Sequence, residues 1–169
     1  MSARQLLVLR HAKAEQVAAS DHERVLSPRG VGDAAALGTW AAEQGRLPDY
    51  VVVSSAARTL GTWESFSAAA GIDPDVVVDR SLYAAGPDAA LEILRTVPEH
   101  AGSVLLVGHN PTMAYLVHLL DDGAADPEVF ARLSAGYPTS ALTVLDVPGP
   151  WADLELGTAR ITDFHVGRA

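Results

Sequence analysis

The chain has no cysteine, so neither a disulfide framework nor a thiolate metal site can organise it. No apolar run approaches the ~20 residues needed to cross a bilayer. The first residues lack the basic flank, apolar stretch and small-residue cleavage site of a secretory signal. Aromatic residues are scarce at 6 %, and 12 basic residues stand against 21 acidic ones, a net charge of −9. A nucleic-acid surface needs a basic face or stacking rings, and the chain holds little material for either. No two histidines share the i, i+4 ligand spacing of a helix, so no metal and no cofactor is expected. Nor is there an internal repeat, a low-complexity tract or a linker. The 169 residues, 49 % hydrophobic and 20 % charged, are expected to form one soluble, cytoplasmic domain over 1–169, without a membrane or nucleic-acid partner.

What is present is an alternation. Apolar runs at 6–9, 50–53, 76–78 and 104–107 are short, rich in Val and Leu, and lack polar alternation. That is how strands covered on both faces of a parallel sheet read. Between them lie helical patterns. One runs over 28–44 with a stripe of Val31, Ala34, Leu37 and Ala41, and others cover 56–70, 87–97 and 111–120. A further strand is predicted at 141–147 and an edge strand within 158–166. The βαβα order predicts a three-layer α/β/α sandwich around a mostly parallel sheet.

Ligands in such sheets sit at the carboxyl ends of the strands, and the chain places its chemistry there. Arg10-His11 follows Leu6-Leu7-Val8-Leu9 directly. His109 lies in Gly108-His109-Asn110-Pro111, where Asn110 suits a helix N-cap and Pro111 a first helical residue. Arg58 falls in the first turn of a helix that Ser55 is placed to cap. An arginine fork matches phosphate oxygens, and a neutral imidazole can attack phosphorus. We therefore read His11 as a nucleophile that becomes phosphohistidine and is then hydrolysed by water. Arg10 and Arg58 clamp the phosphoryl oxygens, and His109 donates to them as charge moves. Lys13 either extends this positive pocket or is simply solvated. His22 reads as a loop residue, His118 as surface or boundary, and His100 and His165 carry no role.

These residues resemble the histidine phosphatase superfamily, the phosphoglycerate mutase-like fold, across nearly the whole chain. Leu9-Arg10-His11-Ala12-Lys13 looks like its Arg-His-Gly motif in the Arg-His-Ala form of the SixA-type phosphohistidine phosphatases. Asp21, Arg24, Leu26, Ser27 and Gly30 resemble that branch's next motif. Ser54-Ser55-Ala56-Ala57-Arg58-Thr59, with Thr62, is similar to the segment bearing the second phosphate arginine, and Val107-Gly108-His109-Asn110-Pro111 to the second-histidine motif. Tyr137-Pro138-Thr139-Ser140-Ala141-Leu142 resembles the start of the last buried strand. The resemblance implies a metal-independent hydrolase in which His11 accepts the phosphoryl group and Arg10, Arg58 and His109 complete the pocket.

One departure bears on the substrate. Mutases and many ester phosphatases of this fold carry an acidic proton donor after a middle strand. The corresponding stretch here, Asp79-Arg80-Ser81-Leu82-Tyr83-Ala84, has no Glu, and the chain has no room for a large cap. An alkoxide leaving group needs a proton, whereas a phosphoramidate nitrogen can already be protonated. The expected substrate is phosphohistidine on a protein of the phosphotransfer or phosphocarrier type. Two alternatives stay open: a small-molecule phosphomonoesterase using Asp79 or Asp88 as acid, and a phosphate-binding module without turnover.

Overall fold

A computed structural model describes residues 3–169. Within them, six strands form one sheet in the order β3-β2-β4-β1-β5-β6. The strands are β1 (Arg4–Arg10), β2 (Tyr50–Ser54), β3 (Asp75–Asp79), β4 (Ser103–Gly108), β5 (Ala141–Val147) and β6 (Arg160–Val166). β1, β4, β2 and β3 run parallel, while β5 and β6 add antiparallel pairings at one side.

The helices are α1 (Pro28–Glu43), α2 (Ala57–Ala70), α3 (Pro87–Arg95), α4 (Thr112–Leu120) and α5 (Pro127–Ala135). The handedness of parallel crossovers decides which face each one covers. From β1 to β2 and on to β3 the chain moves one way across the sheet. From β3 back to β4 it moves the other way, and its helix must therefore lie on the opposite face. The two halves of the core follow that rule. Leu7, Leu9, Val51, Val53, Leu105 and Val107 pack with Leu37 of α1 and Phe66 of α2. Leu6, Val8, Val52, Val104 and Leu106 pack with Leu94 of α3, Leu116 of α4 and Leu133 of α5. Adjacent residues of one strand feed opposite halves, as the pleat requires, and the three layers are complete.

Four local expectations are corrected. The run at 76–78 is not buried: Val76, Val77 and Val78 are 39 %, 41 % and 52 % exposed, because β3 is the sheet's outer strand. On α1 the inward stripe is Gly30, Asp33, Ala34, Leu37, Gly38 and Ala41, whereas Val31 is exposed. Position 38 carries glycine because α1 crosses α2 so closely there that a Cβ would fall 2.2 Å from Phe66 O. Ser55 caps no helix, since α2 is preceded by Ala56. Asn110 is not the residue before α4 either: Pro111 is, and Asn110 Oδ1 instead accepts from Ala114 N at 3.4 Å. α5 has no counterpart in the periodicity reading, although Asp126 caps it by accepting from Glu128 N and Val129 N.

Candidate active site

The parallel strands β1, β2 and β4 end side by side, so their following residues share one rim of the sheet. His11 is fixed there from both flanks: its N–H donates to Gly108 O at 3.1 Å, and its carbonyl accepts from Ser140 N at 3.1 Å. The loop beyond it returns on itself through Glu15 N to Val25 O at 2.8 Å and Ser27 N to Lys13 O at 2.9 Å. It then enters α1, where Ser27 Oγ accepts from Gly30 N. A Cβ on Gly30 would sit 2.0 Å from Lys13 O, and this close approach holds the loop against the helix.

A cleft of about 340 Å³ opens over this rim, lined by Arg10, His11, Lys13, Arg58 and His109 together with Arg24. All five residues singled out from the sequence are brought together. The His11 and His109 rings lie 5.5 Å apart. Three arginines and a lysine around one opening form a local positive site in an acidic protein, and a concave site responds to local donors more than to net charge.

The two histidines are held differently. His11 Nδ1 stands 2.7 Å from Ala12 O. A carbonyl only accepts, so Nδ1 carries the hydrogen and the lone pair is on Nε2. Ala12 is fixed in turn, its N–H donating to Thr62 Oγ1 at 2.9 Å. His109 Nε2 shares a hydrogen with Ser54 Oγ at 2.7 Å. Arg10 Nη1 and Asn110 Nδ2 both donate to Tyr137 O, at 3.0 and 2.8 Å. Arg58 Nη1 donates to Asp21 O at 2.8 Å, and its Nη2 to Asp21 Oδ2 at 3.1 Å. Arg10 Nε, Arg58 Nε and His109 Nδ1 are buried without a hydrogen-bond partner among the described residues. Buried polar atoms are seldom left so. All three belong to residues that line the cleft, where an anion with several oxygens would find donors on every side.

Burial pushes the His11 imidazolium down to about 4; the Ala12 carbonyl opposes the shift, and Arg58, Arg10 and Arg24 reinforce it. His109 is pushed to about 3, by burial first and then by His11 and Arg58. Both rings are therefore neutral at pH 7. The stability consequence has a definite sign. An unfolded histidine protonates near 6.5, so between there and about 4 the unfolded chain binds a proton that folded His11 refuses. Stability is expected to fall as pH drops through that window, with His11 alone contributing on the order of 3 kcal/mol. Urea unfolding of wild type and His11→Gln at pH 7 and pH 4.5 measures this. A pH dependence of equal size in the two proteins would refute it.

Other candidates are placed away from the cleft. Asp79 Oδ1 accepts from Ser81 N at 2.8 Å, closing the turn after β3, and Asp88 is an exposed residue in the first turn of α3. Neither lines the cleft. His100 and His118 are exposed, and His165 stacks on Trp40 with ring centroids 4.3 Å apart. His22 is half-buried with Nε2 2.9 Å from Ser55 Oγ. Sequence reasoning gave no role to Tyr83, whose hydroxyl donates to Asp21 Oδ2. Its signal was faint: a lone tyrosine in a short polar connection. Asp21 itself is unsuited to donate a proton. The Tyr83 hydrogen bond, with help from Arg58 and Arg24, holds its carboxyl down at about 2.

No family model matches the chain. An uncharacterized protein of Mycobacterium tuberculosis is 37 % identical over 162 residues, covering 95 % of this chain and 100 % of the relative. An uncharacterized protein of Mycobacterium leprae is 32 % identical over 165 residues, with the same coverage. Among solved structures, a provisionally named phosphohistidine phosphatase SixA from Nakamurella multipartitia superposes with a TM-score of 0.85 at 36 % identity, over 100 % of this chain and 99 % of the other. A second such protein, from Agrobacterium tumefaciens, gives 0.81 at 31 % identity, over 98 % and 99 %. Identity of this order along the whole of both chains goes beyond a shared fold, and the protein belongs to the SixA-type phosphohistidine phosphatases of the histidine phosphatase superfamily.

Proposed function

We propose that the chain removes the phosphoryl group from phosphohistidine on a protein, by way of a covalent phosphohistidine at His11. The observation that carries this reading is the 2.7 Å contact of His11 Nδ1 with Ala12 O. It leaves the Nε2 lone pair in a cleft lined by Arg10, Arg58 and His109. His11 Nε2 attacks phosphorus while the bond from phosphorus to the substrate nitrogen breaks. The substrate ring, protonated at its other nitrogen, leaves as neutral imidazole and needs no proton from the protein. Water then attacks phosphorus in line, releasing inorganic phosphate and restoring neutral His11. Arg10 and Arg58 hold the equatorial oxygens throughout, His109 donates to one of them, and Lys13 adds positive charge at the mouth.

The substrate class rests on the missing acid. Asp79 and Asp88 lie away from the cleft, and Asp21 stays ionised, so an alkoxide would leave unprotonated. The proposed setting is the cytoplasm, as one domain over 1–169; among the described residues no helix is long and apolar enough to cross a membrane. The test compares kcat/KM for a phosphohistidine-bearing phosphotransfer protein with that for simple alkyl phosphates, with EDTA present throughout. A preference of at least about 10²-fold for the phosphoramidate is expected, since acid catalysis is commonly worth 10²–10⁴. Faster turnover of the alkyl esters would sink the proposal, as would loss of activity to the chelator.

A further inference from the structure

Arg58 is the most enclosed of the basic groups, 6 % exposed, and both of its terminal nitrogens are taken by Asp21. That carboxylate is itself well exposed, at 57 % for its side chain. An exposed partner alone would hold an arginine loosely, yet Asp21 is braced from two further sides. Arg24 Nε donates to Oδ1 at 3.1 Å. The Tyr83 hydroxyl donates to Oδ2, the oxygen that Arg58 also uses. Tyr83 comes from the short 3-10 turn Ser81–Ala84 after β3, 62 residues along the chain from Asp21.

The ring of Tyr83 makes contacts of its own. Arg58 Cζ lies 5.9 Å from its centroid. His109 meets it edge to face at 5.5 Å and His22 at 4.8 Å. A single side chain thus touches the anchor of one phosphate arginine and the ring of the second histidine, while standing outside the cleft lining itself.

We propose that Tyr83 is a positioning residue: through Asp21 it fixes the direction of the Arg58 guanidinium, and it thereby sets the affinity of the cleft for a phosphoryl group. The inference rests on the reading of this cleft as the phosphoryl site. Two effects act in the same sense. The hydroxyl restricts the Asp21 side chain, so the Arg58 fork keeps one orientation and less freedom is lost when it closes on a phosphoryl group. The same hydrogen bond draws charge from Oδ2, which lessens repulsion of an incoming dianion.

The test uses inorganic phosphate as probe, in titrations of wild type, Tyr83→Phe, Asp21→Asn, the double variant and Arg58→Lys. Phenylalanine keeps the ring against His109, so packing is nearly unchanged, and thermal melts check that each variant is folded. Tyr83→Phe is expected to weaken phosphate about five- to tenfold and to raise KM for the phosphohistidine protein by a similar factor, with kcat within about threefold. Because the hydroxyl acts through the carboxylate, adding Tyr83→Phe to Asp21→Asn should change little further. A merely structural role predicts additive losses and no split between KM and kcat. Unchanged phosphate affinity in Tyr83→Phe, with a clear loss in Arg58→Lys, overturns the inference and leaves the site reading intact. Unchanged affinity in Arg58→Lys overturns the site reading, and the inference falls with it.

Discussion

Replacing His11 by alanine is expected to lower turnover of a phosphohistidine protein by on the order of 10⁶-fold, the scale seen when a covalent nucleophile is removed. Nothing else in the cleft can take its place. His109, the other imidazole, has Nε2 engaged by Ser54 Oγ, and a ring that donates from Nδ1 to a phosphoryl oxygen has no free lone pair with which to attack. The carboxylate of Asp21 is committed to Tyr83, Arg58 and Arg24. The decisive measurement is a single turnover with radiolabelled phosphohistidine protein, quenched at high pH. Wild type should carry a transient, acid-labile label that His11→Ala lacks. If the variant keeps more than about 1 % of wild-type turnover, or still becomes labelled, the nucleophile lies elsewhere. The comparison also separates the covalent reading from a silent binding module, which would bind the phosphoprotein yet release no phosphate from the wild-type chain.

Much of this site was legible because it depends on short-range rules. A strand end, a helix start and a positional pattern of Arg, His and Ser are all local, so Arg10, His11, Arg58 and His109 could be placed on one rim before any distance was known. The layer order followed for the same reason, from alternating runs and one handedness rule. What stayed hidden depends on who sits next to whom. Val76, Val77 and Val78 have the composition of a covered strand, and only the sheet order leaves them at the edge. Ser55 and Asn110 are good caps in isolation, but Ser55 is drawn to His22 and Asn110 to the Tyr137 carbonyl. Aspartate is a residue type seldom buried, and Asp33 on α1 is an exception. It is 2 % exposed because Arg168 and the N–H of Ala169, about 135 residues on, answer its carboxylate. The Tyr83–Asp21–Arg58 brace joins three elements, and no periodicity could reveal it.

Removing Arg10 is the second large expected effect. Arg10→Ala should lower kcat/KM by about 10²–10³, comparable to losing one preorganised donor to a developing oxyanion, or roughly 3–4 kcal/mol. Arg10 is half-buried and loses part of its solvation there, which pulls its pKa down from the ordinary arginine value. The Tyr137 carbonyl holds one arm of the fork at Nη1, while Nε is left without a partner among the described residues. The other arm, Nη2, makes no hydrogen bond among the described residues and can donate to a phosphoryl oxygen, and the gain is greatest when charge spreads over the equatorial oxygens in a loose transition state. Lysine cannot substitute, because a point charge on a flexible stem can serve either the Tyr137 carbonyl or the phosphoryl group but not both in one plane. Arg10→Lys is accordingly expected to stay at least tenfold below wild type, and added guanidinium should restore part of the activity of Arg10→Ala but not of Arg10→Lys. Steady-state kinetics with and without guanidinium decide the matter. Full activity in Arg10→Lys would mean that charge alone suffices at this position and that the planar fork has no part in the reaction.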